Sequence, residues 1–93
     1  MIINFKCKET EKVFEGRFSK KLSFDIQNTA RRKLRMLNNA NILNDLKVPP
    51  NNKLEALSGN RKGQYSIRIN KQYRICFEFK SGNVYQVEIV DYH

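Results

Sequence analysis

The sequence predicts an α+β fold in one small domain. Three observations carry that reading: a short run of β-formers at the N-terminus, two helical stretches before residue 40, and three strands of period two after residue 64. A chain of 93 residues buries one modest core and hardly a second, so residues 1–93 are expected to form a single domain.

The opening "MIINFKC" places β-formers at Ile2, Ile3 and Phe5, long enough for one strand and too short for a useful helix. Helical periodicity follows from about Thr10, with Val13 and Phe14 as its apolar pair and Gly16 as the stop. The main helix lies in "SFDIQNTARRKLRMLNNA". Ser23 has the residue type of an N-cap, Asp25 falls in the first turn, and Ile26, Ala30, Leu34 and Leu37 form one stripe. Arg31, Arg32 and Arg35 lie on its outward side, and the simplest reading of such a run is a solvated face. In "NNANILNDLKVPPNNK", the Asn clusters and the pair Pro49 and Pro50 bar regular structure, apart from one helical turn around Ile42, Leu43 and Leu46.

After a Gly-bounded loop, "QYSIRI", "QYRICFEF" and "NVYQVEIVDYH" alternate with period two, joined through "NKQ" and "SGN" as an antiparallel meander. One register satisfies the apolar faces. It pairs Tyr65 with Phe77, Ile67 with Ile75 and Ile69 with Tyr73, then Phe79 with Tyr85, Phe77 with Val87 and Ile75 with Ile89. The same register sets Arg68 across from Arg74 on the opposite face, a like-charge pair that costs stability unless an anion lies over it. It also brings Asp91 beside Tyr73 and Tyr92 beside Gln72, pinning the end of the chain to the middle strand.

Charge narrows the partner. With 18 Lys and Arg against 9 Asp and Glu, the formal net charge is +9 at pH 7, more than solubility calls for, and a polyanion is the expected ligand. No apolar stretch approaches the roughly 18 residues of a spanning helix and the start does not resemble a signal peptide, so no membrane role and a cytoplasmic location are expected. Cys7 and Cys76 are far apart, without C-x-x-C spacing, and read as reduced thiols. One His and two scattered Cys give no ligand cluster, so neither a metal nor another cofactor is expected.

Arg74, Arg68 and Arg61 are the residue types that hold a phosphate and stabilise charge growing on it. His93 and Tyr92 can handle protons, and Asp91 can orient a partner. RNA carries its own nucleophile in the 2′-hydroxyl, so such a set needs only to remove that proton, support the pentavalent phosphate and protonate the departing 5′-oxygen. Each residue also has a plainer reading: a terminal His is commonly a surface residue, Asp91 a strand-ending polar group, and Glu55 a solvated loop or helix-start residue. Basic sheet faces also occur in proteins that only bind RNA.

The pattern "NKLEALSGNRKGQYSIRINKQYRICFEF" followed by a terminal "VEIVDYH" resembles the HigB toxins of the RelE-like superfamily, also described as plasmid maintenance killer proteins. The resemblance spans essentially the whole chain and is strongest from Leu54 onward. It implies an N-terminal strand and two helices packed on one face of an antiparallel sheet, with the other face a concave RNA-binding surface. It further implies a ribosome-dependent endoribonuclease, an mRNA interferase that inhibits translation. Its partner would be a HigA-like helix-turn-helix antitoxin, and operator DNA would be bound only through that complex. Carried over by position, Arg74 would stabilise the phosphate, Asp91, Tyr92 and His93 would form the catalytic end, and Arg61 would help hold substrate. Two positions depart from the pattern: Glu55 stands where some members have histidine, and Ser58 where many have lysine. Glu55 thereby joins the candidate proton-transfer groups, while Lys62, Lys71 and Arg68 are the nearby cations for RNA. The rival reading is a basic RNA- or ribosome-binding module without chemistry. A DNA-binding regulator is disfavoured, because the one long helix has no recognisable helix-turn-helix partner.

Overall fold

The computed structural model describes residues 1–91. Helices α1 (Lys8–Phe14) and α2 (Phe24–Asn39) precede a four-stranded antiparallel sheet in the order β1-β2-β3-β4. The strands are β1 (Glu55–Ala56), β2 (Tyr65–Arg68), β3 (Tyr73–Lys80) and β4 (Asn83–Asp91). The apolar stripe of α2 works as its spacing predicts. Ile26, Ala30, Leu34 and Leu37 join Val13 of α1 and Leu46 in one core with Ile67, Ile75, Phe77, Val84 and Val87 of the sheet. Ser23 occupies the N-cap position of α2 but makes no side-chain capping bond. Arg31 departs from the outward reading, since its Nε donates to the Val13 carbonyl at 3.0 Å and ties α2 to α1.

Residues 1–6 do not form a regular strand. They run parallel to β4 with bridges at Ile2 to Val84 and Phe5 to Val87, closed by Ile3 N donating to Val84 O at 2.8 Å and Lys6 N to Val87 O at 3.0 Å. The interruption between the bridges has a cause in β4 itself. Ser81 and Gly82, both at positive φ, make a two-residue turn that pairs Lys80 with Asn83 and Phe79 with Val84. Farther along, Cys76 pairs with Glu88 and Tyr73 with Asp91, so β4 must carry one extra residue. It does so in a bulge, with Gln86 at φ 56° and its N–H donating to Asn4 Oδ1 at 2.6 Å.

This bulge corrects the expected register between the last two strands. Ile75 with Ile89 and Tyr73 with Asp91 stand as read, whereas Phe79 faces Val84 in place of Tyr85, and Phe77 is not directly paired with Val87. The three-residue connection expected at "SGN" is correspondingly the two residues Ser81 and Gly82. The physical reason is that Val84 and Val87 are both fully buried, and strict alternation cannot send residues three apart to the same face. Between β2 and β3 the expected register holds throughout, Arg68 opposite Arg74 included. There, Asn70 Oδ1 accepts from the backbone N–H of Gln72 and of Tyr73, both at 2.8 Å, which fixes the turn.

A buried lysine and asparagine meet beside the core. Lys33 of α2 is 3% exposed and its ammonium donates to Asn52 Oδ1, while Asn52 Nδ2 donates to the Leu46 carbonyl at 3.1 Å. Burial pushes the Lys33 pKa below the ordinary lysine value, with Arg32 adding repulsion.

Candidate functional site

By strand alternation, the residues that do not point into the core, Ser66, Arg68, Arg74, Cys76 and Glu88, share the open face of the sheet. Arg74 is held at 11% side-chain exposure. Its Nε donates to Ser66 Oγ at 2.8 Å and an amino nitrogen donates to the Lys53 carbonyl at 2.7 Å, with Glu55 as ion-pair partner at 3.6 Å. Each contact has a local origin. Ser66 is fully buried beside Arg74 in the sheet, Lys53 leaves the Pro50–Asn52 turn in a left-handed conformation, and the chain then enters β1. Glu55 is therefore not a loop or helix-start residue: it pairs with Ser66 in a two-residue strand, with its side chain half exposed.

Arg61 belongs to the single turn Gly59–Arg61 and reaches over the same face. One amino nitrogen donates to Glu88 Oε1 at 2.8 Å and to Gln64 Oε1 at 3.0 Å, and Lys6 stands 3.7 Å from the same Glu88 oxygen. Beneath these groups lies Cys76, whose thiol is pushed above its ordinary pKa chiefly by burial, a rise that Arg61 partly offsets. Glu55, Ala56, Leu57, Ser58 and Arg61 line an open depression of about 290 Å³ beside this cluster. Chemically, it is an arginine-rich face in which two carboxylates set the positions of two guanidinium groups.

The expected residues thus divide. Arg74, Glu55 and Arg61 come together. Arg68 opposes Arg74 in register, but the two head groups take different partners, with Arg68 Nε donating to the Asn70 carbonyl at 3.0 Å. Lys62 is exposed just after the Arg61 turn, and Lys71 is exposed in the turn between β2 and β3. Asp91 pairs with Tyr73 and accepts from Gln72 Nε2 at 3.1 Å. Tyr92 and His93, with the expected pairing of Tyr92 beside Gln72, lie outside the described residues. Sequence reasoning missed Ser66, Lys53 and Glu88. The alternation of Glu88 with Val87 and Ile89 was the available signal for the last, whereas a backbone carbonyl leaves none. Among the described residues, no helix is long and apolar enough to cross a membrane.

Fold and site together define a small α+β protein with a charged, open sheet face. The profile of the HigB-like toxins, described as the RelE-like toxin of the type II toxin-antitoxin system HigB, matches residues 3–93, and the chain belongs to that family. Over 83 residues it is 41% identical to Toxin HigB-1 of Vibrio cholerae serotype O1, covering 88% of this chain and 87% of the relative. It is also 42% identical over 41 residues to Endoribonuclease HigB of Proteus vulgaris, which covers 44% and 45% of the two chains. In fold it is similar to a chain of the YoeB-YefM toxin-antitoxin heterotetramer of Staphylococcus aureus. That match has a TM-score of 0.63 at 19% identity and covers 100% of this chain and 95% of the other.

Proposed function

We propose that this protein is the toxin of a type II pair, cleaving mRNA on the ribosome in the cytoplasm and neutralised by a HigA-like helix-turn-helix antitoxin. Operator DNA is reached only through that complex. The observation that carries the reading is the Arg74 guanidinium, held nearly out of solvent on the open face by Ser66, the Lys53 carbonyl and Glu55. An arginine fixed in this way supports charge that develops on a phosphate without reorganising during the reaction.

The reaction is an internal transfer. The 2′-oxygen loses its proton and bonds to the adjacent phosphorus, the bond to the 5′-oxygen breaks, and that oxygen takes up a proton, leaving a 2′,3′-cyclic phosphate. In this scheme Arg74 stabilises the pentavalent phosphate and Asp91, Tyr92 and His93 supply the proton-transfer end. Arg61 holds the substrate, Lys62, Lys71 and Arg68 attract the strand, and Glu55 keeps Arg74 in place. The likeness to Endoribonuclease HigB of Proteus vulgaris supports the chemistry, and the likeness of fold to a toxin solved with its antitoxin supports the partner.

The test is single-turnover cleavage on programmed ribosomes by the wild type, Arg74→Ala and a His93 deletion. Both variants are expected to lose about a hundredfold or more in rate. Full cleavage by the deletion variant would remove His93 from the scheme. Ribosome binding with intact mRNA in every sample would establish the binding-module reading in its place.

A further inference from the structure

A second open depression, also about 290 Å³, lies where α2 meets the turn between β2 and β3. Its walls bring together Arg32 of α2, Arg68 of β2 and Lys71 of the turn, with Asn51 and Asn70 beside them; Lys33 also borders it, but is buried and bonded to Asn52. The three cations come from two separate stretches of chain, α2 and residues 68–71, so tertiary folding assembles them, and no single basic run does. Among the described residues lining this depression none is acidic. Nor does any of the three form an ion pair with the described residues, whereas Arg74 and Arg61 face Glu55 and Glu88. Arg68 is bound through Nε to the Asn70 carbonyl at 3.0 Å, which fixes the plane of its guanidinium, and among the described residues its terminal nitrogens make no hydrogen bond.

Like charges gathered in one concave place repel one another until an anion joins them, and a fixed guanidinium plane suits two phosphate oxygens at once. The asparagines add neutral polar groups to the same walls. We infer that this depression is a second phosphate seat, holding the backbone of RNA at a phosphodiester other than the one cut; the inference rests on the RNA-cleaving reading above. Arg68 and Arg74 are cross-strand partners, so the seat and the cleavage cluster adjoin across one residue pair. The phosphate comes either from the strand being cut or from ribosomal RNA, and α2 contributes to it through Arg32.

Arg32 is exposed on its helix, so Arg32→Ala and Arg32→Glu should fold normally, which thermal unfolding checks. Lys71→Ala, in an exposed turn, serves as an independent variant. Binding is measured across a salt series to a single-stranded RNA with methylated 2′-hydroxyls, which cannot be cut, and to vacant ribosomes. Arg32→Ala is expected to weaken binding by about threefold to tenfold and to reduce the slope of log affinity against log salt by about 0.7, the signature of one lost phosphate contact on a single strand. Loss on the oligomer as well as the ribosome assigns the seat to the cut strand; loss on the ribosome alone assigns it to ribosomal RNA. Unchanged affinity and slope for all three variants on both ligands overturn the proposal. So does a loss confined to an acidic antitoxin peptide, which would make the depression a protein contact. Cleavage by the wild type is scored in parallel. Absent cleavage with the Arg32 effect intact would refute the nuclease reading and leave the seat, while normal cleavage without the effect would refute the seat alone.

Discussion

Arg74 Nε donates to the Ser66 hydroxyl at 2.8 Å, although Ser66 is the register partner of Cys76 and not of Arg74. The bond is diagonal. It draws the guanidinium across the neighbouring strand, toward β1 and the Lys53 carbonyl, in place of the outward path that strand alternation alone would give.

Ser66→Ala removes this bond and keeps the charge. Cleavage should fall about tenfold, less than the hundredfold or more expected for Arg74→Ala, because orientation is weakened while the cation remains. Ser66→Thr, which restores a hydroxyl, should recover part of the loss. Equal rates for Ser66→Ala and the wild type would show that the diagonal bond has no part in catalysis.

Glu55→Gln removes the negative partner of Arg74. Affinity for uncleavable RNA is expected to rise about twofold to fivefold at low salt, as for a half-exposed ion pair, and the gain should vanish at high salt. A loss of affinity would mean that Glu55 itself contacts the nucleic acid.

Lys33 carries a pH signature. Its pKa is lowered in the fold, so between that lowered value and the ordinary value of 10.5 the unfolded chain binds more protons than the folded one. The contribution of this residue to stability therefore increases with pH across that window. Urea unfolding of wild type and Lys33→Met at a series of pH values should show the wild type gaining on the variant toward pH 10. A constant difference would mean that the lysine titrates alike in both states.

The two thiols should separate in reactivity. Cys76 is fully buried with its pKa raised, whereas Cys7 is half buried. A disulfide reagent at pH 8 should modify Cys7 first and reach Cys76 at the rate of unfolding. Two thiols reacting together would place Cys76 within reach of solvent.

Gln86 holds a left-handed backbone angle that a side chain rarely adopts. Gln86→Gly should raise stability by up to about 1 kcal/mol, and Gln86→Val should lower it by a comparable amount or more, as read in chemical denaturation.

The sequence made the middle of the sheet legible because the strands beginning at Tyr65 and Tyr73 alternate without interruption, and a single pairing buries Ile67, Ile75 and Phe77 together. The bulge escaped because period two was carried through Gln86, although Val84 and Val87 at a spacing of three already conflict with it. Lys33 was passed over for a related reason. A lysine next to a helix's apolar stripe is ordinarily read as solvated, and only the return of the chain at Asn52, nineteen positions later, supplies the partner that buries it. Arg74 and Arg61 were identifiable by residue type and by resemblance. Their carboxylate partners depend on β1 and on the bulged strand, neither of which is marked by local propensity.

The pairing of residues 1–6 with Val84 and Val87 ties the order of synthesis to the order of assembly. Residues 1–6 have their backbone partners on β4, at the far end of the domain in sequence, so the domain cannot close until β4 has been made. At ordinary elongation rates the opening segment waits on the order of ten seconds for β4. The Arg74 cluster also draws Glu88 from that strand through Arg61. A nascent chain not yet extended through β4 therefore carries no assembled cluster.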